Sequence, residues 1–355
     1  FKNINLFITG VGNVGNEFLK IIYHQKEKLI KEYQINLKII GIANSTRILL
    51  NGGDEITKND AFNLSNLGKK YSSFSDYISN IINLNLPNSI FIDNTASEKV
   101  SNGYDKLLQN SISIATCNKI ACSSEYNSYS KLINTAKEYN CHFKYETTVG
   151  AALPIIKTIH DLILSGDSIN KIEAVISGSL NFIFNEYDGK IKYADIVMKA
   201  KELGYTEPNP LIDLSGLDVM RKILILSRES GMKGSLVDIN FDNFLPEECS
   251  NSKDVKSLFE NLDKHENHFK EIYEKASKKG CKLKVVASMN NNKLFVGLKE
   301  ISSTSPFYNL EGKDNVVALF TNRYQNEPLV IKGAGAGAIV TASGVFADVM
   351  SIVNK

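Results

Sequence analysis

The chain reads as an α/β protein, a doubly wound parallel sheet followed by a second, α+β domain. Three observations predict this. Strand and helix patterns alternate through residues 1–150, a glycine-rich turn joins the first strand to the first helix, and hairpin signals replace the alternation after Leu153-Pro154. A chain of 355 residues is too long for one small core, so two domains are expected. We place them at 1–150, with the C-terminal helix 336–355 packing back on it, and at 151–335.

The first element is an apolar strand over 4–9. It runs into Gly10-Val-Gly-Asn-Val-Gly15 and then a helix over 16–30. Strand, GxGxxG and helix in that order are the context of a dinucleotide-binding turn, which makes the sheet Rossmann-type. Gly10 would permit the tight turn, Gly12 the approach of backbone to a pyrophosphate, and Gly15 close packing of helix on strand. Asn13 and Val14 fall at the helix start, where free N–H groups would hold the phosphates. A second strand over 37–42 should end at the adenosine ribose. Dinucleotide sites for NAD show an acid there; this chain has Ala43-Asn44-Ser45-Thr46-Arg47. With no acid and one base, Asn44, Ser45 and Arg47 favour NADP, Arg47 pairing with its 2′-phosphate, although NAD stays possible and Arg47 also reads as a solvated loop residue.

Residues 45–75, rich in Asn, Gly and Ser, read as a long excursion. Further strands are expected at 89–94, 111–116 and 142–149, and helices at 76–82, 98–109 and 124–139. In the second domain a strand over 171–177 precedes helices over 194–203 and 217–230. The runs 281–289 and 293–301 alternate around Asn290-Asn-Asn, a hairpin signal, and 315–321 with 329–331 suggests another. The last helix spans 338–353.

Composition narrows the function. A net charge of +2 with mixed signs gives no field for nucleic acid. No apolar run reaches membrane-spanning length, and no signal-peptide pattern remains, although Phe1 in place of Met is expected of a processed or excised start. Five cysteines, odd in number and without a CxxC pair, suit free thiols in a reducing cytoplasm. His265 and His268, in HxxH on a charged helix over 264–279, read as surface residues and not as metal ligands.

The richest stretch is GYTEPNPLIDLSGLDVMRK, 204–222. A loop with two prolines carries Glu207 and Asp213, then an apolar helix sets Asp218 and Lys222 four residues apart on one face. An amine beside several carboxylates could hold an amino acid and move a proton. Alone, Asp218 and Lys222 would read first as a surface ion pair; the apolar residues around them favour a buried helix, where an unpaired charge is costly.

With these residues in hand, the chain is similar to homoserine dehydrogenase over nearly its full length. The likeness rests on GVGNVG (10–15), IANS (42–45), ATCNK (115–119), YETTVGAALP (145–154), SGSLNFIF (177–184), the 204–222 stretch and GAGAGAIVTASGVFADV (333–349). It most resembles the dehydrogenase half of bifunctional aspartokinase–homoserine dehydrogenases. The resemblance implies interconversion of L-homoserine and L-aspartate 4-semialdehyde with NADP, a homodimer formed through the second domain, and a possible aspartokinase domain in a larger chain. It implies Lys222 as the acid/base, Asp218 in its network, Lys119 as a second lysine, Glu207 on the substrate ammonium and Asp213 near the reacting end. It further implies Tyr205 and Gly178 as backbone contacts to substrate, Thr95 and Gly337 beside the cofactor, and a monovalent cation such as sodium held by Glu146, Val149, Ala151 and Leu153.

Two departures stand out. Ile120 follows Lys119 where the family often has a second lysine, and Ala152 replaces a family glycine. The first bears on cofactor preference. The second leaves the 146–153 segment open to a plainer reading, a strand-end turn at a hinge. The residues also admit another NAD(P) oxidoreductase of an amino-acid semialdehyde or hydroxy acid, or a non-catalytic regulatory half of a larger chain.

Overall fold

The computed structural model describes residues 1–71 and 73–354. Ser72, inside the expected 45–75 excursion, and Lys355, at the end of the 336–355 segment, lie outside the described residues. The chain divides into two compact units, Phe1–Ala152 with Ala336–Lys355 (unit 1) and Leu153–Gly335 (unit 2).

Unit 1 is built on a seven-stranded sheet of order β4-β3-β2-β1-β5-β6-β7. Its strands are β1 (Lys2–Thr9), β2 (Ile35–Ala43), β3 (Arg47–Leu50), β4 (Lys69–Lys70), β5 (Ser89–Asp93), β6 (Ser113–Thr116) and β7 (Phe143–Lys144). Five neighbouring strands, β2, β1, β5, β6 and β7, run parallel. Ile4 to Thr9 are all buried, as a strand covered on both faces requires. Ile4, Leu6 and Ile8 pack in one core with Phe18, Leu19 and Ile22 of the helix Asn13–Tyr33 and with Ala342, Val345 and Val349 of the helix Ala338–Val353.

Three expectations are corrected here. The 45–75 excursion contains β3 and β4, both antiparallel, so the sheet is not parallel throughout. The Asn44 side chain accepts from the N–H groups of Thr46 and Arg47 and reverses the chain at that point. The expected strand 142–149 ends after Lys144, because Thr148 Oγ1 turns back to Tyr145 O at 2.7 Å and Glu146 N–H bonds Asp348 instead of a strand. The expected helix 98–109 breaks at Asn102-Gly103 into Glu98–Ser101 and Tyr104–Leu108.

Unit 2 carries a six-stranded mixed sheet of order β13-β12-β8-β10-β11-β9. The strands are β8 (Ile169–Val175), β9 (Ile239–Asp242), β10 (Lys282–Asn290), β11 (Lys293–Ile301), β12 (Asn315–Thr321) and β13 (Leu329–Gly333). The β10–β11 hairpin turns on Asn291 and Asn292, both at positive φ, as a type I′ turn requires. Val175, Val286, Val316 and Ala318 form part of its core with Phe307 and Leu310. A fourth correction falls in this unit: Leu211–Leu214, expected as loop, is one helical turn. Asn209 Oδ1 starts it by accepting from Leu211 N–H at 3.1 Å. No helix among the described residues is long and apolar enough to cross a membrane.

Candidate active site

In unit 1 the chain leaves β1 at Gly10, whose φ of +86° a side chain would strain. A Cβ on Gly15 would stand 1.9 Å from Gly10 O, so helix and turn touch backbone to backbone. A Cβ on Gly12 would meet nothing within 4 Å. Gly12 caps the helix Asn13–Tyr33 without a side-chain bond, and no acid occupies the first turn. The helix start at Asn13 and Val14 therefore keeps N–H groups for an outside acceptor.

The neighbouring strand end adds what the sequence did not reveal. Asn94 follows β5, next to β1 in the sheet, and its amide lies 3.7 Å from where a Gly15 Cβ would stand. Both polar atoms of Asn94, and Thr9 Oγ1, are buried without a hydrogen-bond partner among the described residues. Orphaned buried polar atoms are rare, and these border the glycine turn where the strand order reverses. The donor set and the open space at Gly12 thus fit a dinucleotide. Topology alone could have pointed to Asn94, since β5 was expected and its end faces the same crevice as that of β1.

Thr95 sits beyond Asn94, its N–H donating to Asp93 Oδ1 at 2.8 Å. Asp93 is fully buried and also accepts from Tyr104 Oη at 2.6 Å and Asn118 Nδ2 at 3.0 Å. Burial pushes its carboxyl up, against those hydrogen bonds. Asn118 in turn caps the short helix Lys119–Cys122 through Ile120 N–H. Lys119 therefore leaves a backbone pinned by a buried network. Of the ribose-end residues, Ser45 is exposed and Asn44 is occupied in the turn. Arg47 lies on β3 and donates to Gly68 O at 2.7 Å. It is an anchored strand residue and not a solvated loop side chain. Gly337, at φ +122°, precedes the helix Ala338–Val353.

In unit 2 the helix Leu217–Glu229 presents Asp218 and Lys222 on one face. Lys222 Nζ lies 2.7 Å from Asp218 Oδ2 and donates to Ile176 O at 2.9 Å. Ile176 follows β8 and leads into Ser177 and the helix Gly178–Glu186. Ser179 donates to Asp213 Oδ1 at 2.8 Å, and Glu207 N–H to Asp213 Oδ2 at the same distance. Burial pushes the Asp213 carboxyl up, and the charges of Glu207 and Asp218 add to it. The structure thus brings Glu207, Asp213, Asp218 and Lys222 together, tied to the Gly178 turn. Tyr205 packs edge-on to Phe182, centroids 4.9 Å apart, with Lys313 Nζ 4.7 Å above its ring. Ser179, the Ile176 carbonyl and Lys313 were missed, because their contacts join segments distant in sequence.

Of the cation candidates, Glu146, Val149 and Ala151 belong to unit 1 and Leu153 opens unit 2. Glu146 N–H donates to Asp348 Oδ2 at 3.0 Å. Burial and then the charge of Glu146 push the Asp348 carboxyl up to about 7. Ala151 holds a left-handed φ of +52°. His265 Nε2 lies 3.2 Å from Glu248, and His268 Nε2 lies 2.9 Å from Phe244 O, both structural contacts.

Comparison with known proteins accords with this arrangement. The homoserine dehydrogenase family model matches residues 154–350, and the model of the homoserine dehydrogenase NAD-binding domain matches 10–146. The bifunctional aspartokinase/homoserine dehydrogenase of Buchnera aphidicola is 38% identical over 99% of this chain, which spans 43% of that protein. The chain thus covers less than half the length of such bifunctional relatives. The homoserine dehydrogenase of Schizosaccharomyces pombe is 35% identical over 99% of this chain and 96% of its own. A Candida auris crystal structure superimposes with a TM-score of 0.90 at 32% identity, covering 100% and 99% of the two chains. A hyperthermophilic archaeal homoserine dehydrogenase mutant in complex with NADPH does so at 0.76 and 25% identity, covering 99% and 98%. The chain belongs to the homoserine dehydrogenase family, a family of NAD(P)-dependent oxidoreductases.

Proposed function

We propose that this chain oxidises L-homoserine to L-aspartate 4-semialdehyde, and reduces it back, with NADP as cofactor. The observation that carries the reading is the cluster in unit 2, a tethered lysine paired with Asp218, next to an Asp213 that feels the charges of both Asp218 and Glu207. A substrate with an ammonium group matches it. Glu207, exposed, would receive the ammonium, and Asp213, raised by burial and then by its acidic neighbours, gains from any cation placed there. Tyr205 and Gly178 would offer backbone groups beside it.

Lys222 is the acid/base. An ammonium has three donors; Asp218 and Ile176 O take two, leaving one for the substrate oxygen. In reduction that N–H is given to the oxygen as negative charge develops on it. In oxidation Lys222 takes the hydroxyl proton as the carbon loses its hydride; the overall oxidation releases a proton, so alkaline solution favours that direction. Lys119, pinned through Asn118, would supply the second positive charge of the reaction.

A nicotinamide cofactor held in unit 1 would supply the hydride chemistry. Gly10, Gly12, Asn13, Val14 and Gly15 would cradle its pyrophosphate, with Thr95, Asn94 and Gly337 alongside. Asn44, Ser45 and Arg47 would face the adenosine ribose. The absence of an acid there and the anchored Arg47 support NADP over NAD. A monovalent cation near Glu146 and the carbonyls of Val149 and Ala151 would offset the crowding of Glu146 and Asp348. We further propose a homodimer through the unit 2 sheet, to be checked by sedimentation.

The test is the near-ultraviolet absorbance of reduced nicotinamide on mixing the chain, NADP+ and L-homoserine at alkaline pH. A steady rise with L-homoserine and none with L-lactate or L-serine is expected. No rise with either nicotinamide cofactor, from protein shown to bind NADPH, would overturn the assignment. A rise with a hydroxy acid lacking the ammonium would favour a different substrate for the same reaction.

A further inference from the structure

Lys284 is a buried lysine of unit 2, and the chemistry above does not use it. It sits on β10, fully buried. Its Nζ donates to Asn181 Oδ1 at 2.8 Å, to Leu310 O at 2.6 Å and to Asn185 Oδ1. Asn181 and Asn185 are four residues apart on the helix Gly178–Glu186, hence on one face. Their Nδ2 groups point the other way. Asn181 donates to Gly312 O at 3.0 Å and Asp314 O at 3.4 Å, and Asn185 to Leu310 O at 3.1 Å and Gly312 O at 3.3 Å.

A side-chain amide can present oxygen or nitrogen to a neighbour, and the hydrogen-bond network decides which. A donor-only ammonium at Lys284 obliges both asparagines to turn their oxygens toward it, which leaves both nitrogens for the loop carbonyls. An apolar residue at 284 would remove that bias, and a flipped amide would set oxygen against oxygen.

The clasped loop leads to the substrate half-site. The carbonyl of Lys313 lies 3.0 Å from where a Cβ on Gly178 would stand, and its Nζ covers Tyr205. One residue past Asp314, Asn315 Nδ2 donates at 3.4 Å to Ile176 O, the carbonyl that also receives Lys222. We propose that Lys284 is a positioning residue: through Asn181 and Asn185 it clasps the Leu310–Asp314 loop to the Gly178 helix and holds that loop as a wall of the substrate half-site. This rests on the reading of unit 2 as the substrate-binding unit.

The experiment compares the full chain with its Lys284→Met and Lys284→Arg variants by hydrogen exchange of the loop amides and by steady-state kinetics. In Lys284→Met, loop exchange accelerates and KM for L-homoserine rises about tenfold, with kcat within about threefold and KM for NADP+ unchanged; Lys284→Arg restores most of both. If Lys284→Met does not fold, Asn185→Ala takes its place, since it removes one acceptor of Lys284 and two loop bonds. Unchanged loop exchange would overturn the clasp. Faster exchange with an unchanged KM, or losses in kcat and both KM values in step with stability, would reduce Lys284 to a structural residue. Failure of the unmodified chain to turn over L-homoserine would instead remove the functional reading, and with it the assignment of the loop as a substrate wall.

Discussion

Lys222 and Lys284 stand in the same unit, one on the helix Leu217–Glu229 and one on β10, and both are withdrawn from water, with 11% and 0% exposure respectively. Lys222 is kept beside a carboxylate at 2.7 Å and retains a donor for a ligand. Lys284 has only neutral oxygens among its hydrogen-bond acceptors, and all three are protein groups. Burial, helped by the charge of Lys282, lowers the Lys284 ammonium to about 8. A carboxylate partner and an open edge suit a lysine that must exchange a proton with substrate. A ring of neutral protein oxygens suits one that orients its neighbours and leaves no donor for a ligand. Burial of a lysine alone therefore does not identify a catalytic group; its partners do.

That contrast can be broken most sharply at Lys222. Lys222→Met should lower kcat by about a thousandfold, with the urea midpoint of unfolding little changed, and Lys222→Arg should not rescue it. An equal loss from Lys284→Met would erase the distinction. At Lys284 the larger effect falls on stability. Lys284→Met takes the donor from Asn181 Oδ1 and Asn185 Oδ1, while Leu310 O keeps Asn185 Nδ2, and urea unfolding should show a loss of about 2 kcal/mol. Asp218→Asn should cost about tenfold in kcat, since Lys222 keeps Ile176 O but loses its charged partner; an unchanged kcat would remove Asp218 from the network. The smallest effect is a pH trend. The folded Lys284 sheds its proton near 8 and the unfolded one near 10.5, so between those values the unfolded chain holds more protons and raising pH favours folding. Wild type should gain stability relative to Lys284→Met from pH 8 to pH 10, and a gap that narrows would mean Lys284 is charged comfortably in place.

Local patterns were legible where one segment contains its own cause. The Gly10–Gly15 turn, the helix Ala338–Val353 and the β10–β11 hairpin depend on nearby residues: a strand feeding glycines, a largely apolar run, and asparagines that tolerate positive φ. The spacing of Asp218 and Lys222 likewise needed only the helical repeat. The misses have the opposite character. The strand expected over 142–149 failed because Asp348, some two hundred residues on, captures Glu146 N–H. The excursion after Ser45 became antiparallel strands because one side chain, Asn44, could reverse the chain.

The sequence by itself determined the family, the nucleotide-binding turn and the residue types of the acid–lysine cluster, since those rest on short-range spacing and on motifs that survive as strings. Only the tertiary structure decided that Asp213 is held between Ser179 and Glu207 N–H, that Asn94 is left with its amide buried and unpaired, and that Lys284 orients two asparagines. Each of these depends on which distant groups meet in a buried space, where every donor must find an acceptor. That accounting closes only once the chain has folded.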